Sequence, residues 1–342
     1  MATSPLVIYG AYGYTGALVA REAAARGLPV VLAGRDSERL VALSRELRVP
    51  WRAFPLTDPD AVRRGIEGSA AVLHCAGPFI RTWRAVAEAC LDLRVHYLDV
   101  TGELPVFHGL AALGPHAERA GVMLLPGAGF DVVPSDCLAA HLVRRLPGAR
   151  SLVIAFSGLG RMSIGTARTF MAHADLPGTL AGPAVRAFDF GDGPVPCVAL
   201  PWGDLATAPR STGVSQVSTY MAASVTERVL LRLAPRIAPF LRNPRVAELT
   251  AQLLARGAAG PDPAVRTRGR SRHYAEATDA SGNTVAARQR GPDGYTLTAL
   301  TAVEIARRVL AGEVRPGWQT PASAYGPDLV LAIPGVERED VR

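Results

Sequence analysis

Short apolar runs alternate with amphipathic stretches through the first part of the chain. Leu6–Tyr9, Pro29–Ala33, Trp51–Phe54, Ala70–Cys75, His96–Val100 and Gly121–Leu125 have strand length and are rich in β-formers. Ala17–Glu22, Ser37–Leu47, Asp58–Ile66 and Trp83–Leu93 carry helical spacing. Nearly continuous apolar strands separated by helices of this size predict a doubly wound parallel sheet with right-handed crossovers over 1–132.

The pattern changes near Gly127-Ala128-Gly129-Phe130-Asp131. Asp136–Leu146 reads as a connecting helix. Ser151–Phe156, Gln216–Met221, Ser271–Ala277 and Thr284–Gln289 have period-two character, and Asp279–Asn283 supplies hairpin-turn chemistry. These features predict an α+β substrate domain with a mostly antiparallel sheet over 133–294. Thr298–Leu310 is strongly amphipathic, and 295–342 is expected to return to the first domain as a helix and tail.

Three glycines follow the first strand at i, i+3 and i+6: Gly10-Ala11-Tyr12-Gly13-Tyr14-Thr15-Gly16. A strand that stops at glycine and restarts as a helix leaves unpaired amides at the helix N-terminus, where the dipole favours a pyrophosphate. Gly10 permits the tight turn, Gly13 lets phosphate approach the backbone, and Gly16 lets helix and strand pack closely. The spacing is GxxGxxG, so the match is to this mechanism rather than to the usual GxGxxG letters. A plain structural turn is the competing reading.

Just past the second strand, Arg35 stands where a residue reaches the adenosine ribose. A guanidinium there pairs with a 2′-phosphate and argues for NADP; Asp36 would serve NAD if the register shifted by one. Cys75-Ala76-Gly77-Pro78 ends the fourth strand with small residues that can line the cofactor trough. Asp99 and Thr101, with Glu103, end the next strand. They are expected to position substrate or nicotinamide, or else to cap a helix. Asp131, Ser135, Tyr220 and His173 are the candidates for the polar catalytic role, with the Gly165-Thr166-Ala167 segment facing the same cleft. Asp136 competes with Asp131 for proton transfer, or caps the following helix.

Composition narrows the chemistry. The length of 342 residues suggests two domains, or one with a large insertion, and 49% hydrophobic with 20% charged residues is enough for a sizeable core. The net charge is +7, and all 37 cations are arginine. A lysine Schiff base and a Tyr-x-x-x-Lys dyad are therefore excluded. The arginines are dispersed without interleaved aromatics, which argues against nucleic-acid binding. The four cysteines and seven histidines show no metal-ligand spacing, so no metal is expected, and buried free thiols in a reducing cytoplasm are the plain reading. No secretory signal or membrane span is apparent in the sequence. Residues 225–256 form a basic amphipathic segment broken by Pro235, Pro239 and Pro244. It reads as surface helices, or as a lid or contact for a membrane or an acyl carrier.

Taken together, the glycine loop, Gly34-Arg35, Cys75-Ala76-Gly77-Pro78-Phe79, Tyr97–Glu103 and Gly129-Phe130-Asp131 with Pro134-Ser135-Asp136 resemble the saccharopine dehydrogenase-like oxidoreductases. So do Pro201–Leu205, Ser211–Gly213, Gly294–Ala299 and Thr320–Ala322. The branch most resembled includes the bacterial trans-acting enoyl reductases. The resemblance implies a Rossmann domain, an α/β substrate domain and NADPH-dependent reduction of a C=C or C=N bond in a small or acyl-thioester substrate. His74 departs from the family, which often has asparagine before the Cys-Ala-Gly-Pro turn. A non-catalytic NADP-binding sensor or scaffold is the alternative on the same fold, and a homodimer is an open expectation.

Overall fold

The computed structural model describes residues 4–158, 184–225, 228 and 260–342. It divides into two compact units, 1–133 with 295–333 and 134–294 with 334–342. His173, Gly165–Ala167 and nearly all of 225–256 lie outside the described residues.

The first unit is a parallel sheet. Strands β1 (Leu6–Tyr9), β2 (Val30–Gly34), β3 (Trp51–Ala53), β4 (Ala71–His74), β5 (His96–Asp99), β6 (Met123–Leu125) and a late β13 (Gly317–Trp318) lie in the order β13-β6-β5-β4-β1-β2-β3. All their pairings are parallel. The order reverses between β1 and β4, and the strand ends there are where such sheets bind ligands. The crossovers are α1 (Tyr14–Ala25), α2 (Ser37–Leu47), α3 (Pro59–Ile66), α4 (Trp83–Leu93) and α5 (Leu104–Ala120). Each of β1, β2 and β4 is buried along its whole length, as a sheet covered on both faces requires. Val7, Tyr9, Val31, Val72 and Tyr97 form one core with Trp83, Val86 and Leu110. Burying each large side chain contributes about 1.5–3 kcal/mol.

Helix α5 is absent from the helical stretches read in the sequence. It runs through Pro115, and Gly114 leaves room for Trp318 of β13.

The second unit holds α6 (Val133–Arg145), apart from its first residue, and a seven-stranded sheet. Its strands are β7 (Ala149–Ser157), β8 (Val185–Asp189), β9 (Pro194–Ala199), β10 (Gln216–Ala222), β11 (Arg270–Asp279), β12 (Thr284–Pro292) and β14 (Glu337–Asp340). They lie in the order β14-β12-β11-β7-β10-β9-β8, antiparallel except for β7 with β10. Helices α6 and α7 (Asp204–Thr212) cover one face through Leu138, Leu142 and Ala208 against Leu152, Ile154 and Ala275. Phe188, Phe190 and Cys197 pack on the other. A short α8 (Pro263–Arg268) precedes β11.

The C-terminal part divides between the units, contrary to the expectation for 295–342. Helix α9 (Gly294–Leu310), from Tyr295 onward, and α10 (Pro321–Tyr325) belong to the first unit. Residues 334–342 join the second, where β14 pairs with β12.

Candidate active site

At the end of β1 each glycine has a separate job. Gly10 adopts φ +82°, and a side chain there would strike Ala76, so the first turn packs directly on the turn after β4. A Cβ on Gly16 would collide with the Gly10 carbonyl, which brings α1 against β1. A Cβ on Gly13 would meet only the Gly10 carbonyl oxygen, at 3.2 Å; the rest of its surroundings are open. Gly13 is also the N-cap of α1, which has no side-chain cap and no acid in its first turn. An uncapped helix end beneath an open glycine is a cradle for a diphosphate.

The ribose end of this cradle carries two guanidiniums. Arg35 is exposed and forms no ion pair among the described residues. Arg39, one helical turn later, lies with its guanidinium 4.5 Å above the Tyr12 ring and donates to the Tyr12 carbonyl at 3.1 Å. Gly34 leaves the space that the Tyr12 ring fills. Asp36 is the N-cap of α2 and accepts from the Arg39 amide at 3.1 Å. The acid therefore anchors the helix, and the register that would present it to a ribose is not the one adopted. Sequence reasoning passed over Arg39, whose signal was its position four residues beyond Arg35.

After β4 the chain turns through Cys75, Ala76 and a cis Gly77–Pro78 bond into a 3₁₀ turn at Phe79–Arg81. Buried Glu103 holds this turn: its two carboxylate oxygens accept the Phe79 and Ile80 amides, each at 2.8 Å. Thr82 donates to the Ala76 carbonyl at 2.8 Å, and His74 Nε2 lies 2.9 Å from the Thr82 hydroxyl. The His74 ring is fully buried among Tyr9, Phe79 and Tyr97, and desolvation pushes its pKa down to about 3. His74 is thus a neutral brace for the turn and not a cofactor contact. Burial also raises the Cys75 thiol to about 12, with the Asp99 charge adding to the rise, so Cys75 is a thiol wall and not a nucleophile.

Asp99 and Thr101 also turn inward. The Asp99 carboxyl accepts from the Thr101 amide, the Gly127 amide and the Tyr97 hydroxyl at 2.9, 2.9 and 2.8 Å. Thr101 Oγ1 accepts the Glu103 amide at 3.0 Å. Both side chains are completely buried and already engaged in these hydrogen bonds, so they tie together the ends of β5 and β6. Burial raises the Asp99 pKa to about 7 against the lowering effect of these hydrogen bonds.

Asp131 is different. Partly exposed, it packs its carboxyl against Gly102, where an added Cβ would lie 3.1 Å from Oδ2. Desolvation, and then the nearby Glu103 charge, raise its pKa to about 7. Its loop is fixed by α9: the Phe130 amide donates to Thr298 Oγ1 at 3.0 Å and Thr301 donates to the Ala128 carbonyl at 2.9 Å.

The other catalytic candidates belong to the second unit. Ser135 is buried on the first turn of α6. Asp136 accepts from Ser211 at 2.5 Å, an α6–α7 link rather than a proton-transfer site. Tyr220 lies on the sheet face away from those helices, its ring 5.1 Å from Phe188. Ser135 and Tyr220 are therefore on opposite sides of one sheet and cannot share a substrate atom there. Among the described residues no group of His, Cys, Asp or Glu can hold a metal ion, and no helix is long and apolar enough to cross a membrane.

Residues 6–125 match the model of the saccharopine dehydrogenase NADP-binding domain. The matched stretch lies within the first unit. A probable mitochondrial saccharopine dehydrogenase-like oxidoreductase of Arabidopsis thaliana is 32% identical over 154 residues, 38% of this chain and 33% of that protein. A trans-acting enoyl reductase of Mycobacterium tuberculosis is 34% identical over 148 residues, 41% of this chain and 35% of that protein. Each match thus spans about a third of the relative's length. Over the whole chain the architecture is similar to that of apo saccharopine dehydrogenase (L-Glu forming) from Saccharomyces cerevisiae. That alignment has TM-score 0.66 and 13% identity and covers 99% of this chain and 100% of that one, a likeness of fold. The open Gly13, the uncapped α1 and the unpaired Arg35 fit the phosphates of NADP.

Proposed function

We propose that the chain is an NADPH-dependent reductase of a polarised C=C or C=N bond, with an enoyl thioester favoured as acceptor. The observation that carries the reading is the open amide cradle at Gly13 with Arg35 and Arg39 at its ribose end, while Asp36 is engaged elsewhere. The names of the mycobacterial relatives favour the thioester.

When bound, NADPH supplies the hydride. The residues of the chain do the rest. The first-turn amides of α1 would hold the diphosphate, and Arg35 and Arg39 would pair with the 2′-phosphate. The Cys75–Pro78 turn, held rigid by Glu103, forms the wall along the cofactor trough. Asp131 keeps its carboxyl proton up to about neutral pH and donates it to the atom adjacent to the carbon that is reduced.

The test is NADPH consumption with crotonyl-pantetheine and a panel of cyclic imines. Turnover with one of them supports the reading; tight NADPH binding with no turnover would favour a sensor.

A further inference from the structure

The helix-covered face of the second sheet changes character toward the end where β7 finishes. Its middle is apolar: Leu152 and Ile154 of β7, Ala275 and Ala277 of β11 and Ala287 of β12 share one core. One step further the same face carries polar side chains. His273 pairs in register with Gln289, and Ser271 with Gly291. Phe156 pairs with His273, and its ring lies 4.8 Å from that of Trp202 and 6.4 Å from that of His273. Helix α6 runs back into β7, and α7 into the parallel β10. The first turns of both helices therefore come over this same end.

The polar groups here are buried, and two of the strand side chains carry an unsatisfied oxygen. Ser271 is fully buried, and Gln289 and His273 are 2% exposed. Among the described residues neither Ser271 Oγ nor Gln289 Oε1 has a hydrogen-bond partner, and Thr207 Oγ1 on α7 has none either. Unsatisfied buried polar atoms are costly, so natural chains keep few of them without a use. Burial drives the His273 pKa down to about 3, so the imidazole is neutral.

Ser271 and Gln289 together offer donors for a carbonyl and an acceptor for an amide N–H. Phe156 and Trp202 supply a flat apolar wall. A substrate carboxylate would call for a guanidinium, and among the described residues the side chains forming this cluster include none; the buried acid Asp204 stands on the first turn of α7.

We propose that this end of the second sheet is the acyl-recognition site. Ser271 and Gln289 hydrogen-bond the neutral carbonyl and amide groups of an acyl-pantetheine thioester laid against Phe156 and Trp202. The assignment of substrate class rests on the reductase reading above.

The test uses the full chain loaded with NADP⁺ and titrated calorimetrically with crotonyl-pantetheine, crotonyl-CoA and the carboxylate-bearing imine Δ1-piperideine-2-carboxylate. Gln289→Leu should weaken crotonyl-pantetheine binding about tenfold or more. It should leave NADPH affinity unchanged and hold or raise the thermal midpoint, because an unsatisfied buried amide has been replaced by an apolar side chain of similar size. Ser271→Ala should weaken the same probe about threefold or more. Tighter binding of crotonyl-CoA would support the site and identify the arm as CoA-borne. Equal binding of the two thioesters would support it as reading the arm alone.

Unchanged probe binding with a lowered midpoint in Gln289→Leu would make the cluster structural and overturn the proposal. Binding of only the imine would overturn it too, while leaving the reductase reading intact if the imine is reduced. Gln289-dependent thioester binding without NADPH consumption by any acceptor would uphold the site and fail the reductase reading instead.

Discussion

Replacing Arg35 by alanine and Arg39 by methionine, separately, tests how the adenosine end selects its cofactor. Arg35 is exposed and forms no ion pair among the described residues, so a bound 2′-phosphate would be its main partner. A hydrogen bond to a charged group contributes about 1.5–3 kcal/mol. At roughly 1.4 kcal/mol per tenfold, Arg35→Ala should weaken NADPH by about 10- to 100-fold. NADH lacks that phosphate and should change by less than about threefold. Arg39 contributes twice, through the phosphate and through its stack on Tyr12 at 4.5 Å. An exposed cation–π contact is worth about 0.5–1 kcal/mol. Arg39→Met keeps the apolar stem over the ring, so NADH should weaken only about two- to fivefold while NADPH again loses about tenfold or more. The assay is quenching of protein fluorescence by each cofactor at low and moderate salt, and the NADPH losses should shrink as salt rises. Equal losses for NADPH and NADH in Arg35→Ala would refute the 2′-phosphate assignment.

Three further outcomes follow from the buried charges. Asp131 must be protonated to act as an acid, so kcat/KM should fall about tenfold per pH unit above about pH 7, and Asp131→Asn should lower the rate and flatten that limb; an unaltered profile removes Asp131 from the mechanism. The folded-state pKa of Asp99 is raised to about 7, so its contribution to stability is fully present below its unfolded pKa and is lost as pH rises through 7. The thermal midpoint of Asp99→Asn should therefore gain on the parent between pH 4 and about 7, with the difference constant above that; a difference that stays constant from pH 4 upward would contradict this. Glu304, whose side chain is 9% exposed, accepts from Arg307 and Arg308, each at 2.9 Å, and pairs with Arg26 at 3.5 Å. Glu304→Gln should cost about 1–2 kcal/mol, discounted because all three arginines are partly exposed, and should be read as a lowered thermal midpoint.

Legibility in the sequence followed local physics. The parallel sheet was visible because strands buried on both faces must be nearly all apolar, and LVIY and AVLH are. The glycine roles were visible because a positive φ and a collision with a carbonyl are local constraints. Weak or short elements escaped. β13 has two residues, β14 is wholly polar, and β9 carries Pro194 and Pro196, which read as loop. Helix α5 went unread, and it carries Pro115 inside it.

Asp99 and Thr101 were placed at the right strand end, but the sequence does not tell which way a carboxylate turns. The direction was set by the Gly127 amide and Tyr97 hydroxyl waiting beneath. Glu103 as clamp of the Phe79 and Ile80 amides joins residues more than twenty positions apart, and only folding brings them together. The same holds for Ser271, His273 and Gln289. Each looks like an ordinary strand residue until register puts all three on the covered face.

The central claim is that NADPH lies against the amides above Gly13, and Gly13→Val tests it most directly. The new Cβ would meet only the Gly10 carbonyl oxygen at 3.2 Å, so circular dichroism should be close to that of the parent, while the γ-carbons would stand in the phosphate path. The account predicts loss of NADPH binding by about 100-fold or more with the fold retained. A Gly13→Val protein that still bound NADPH as tightly as the parent would contradict it.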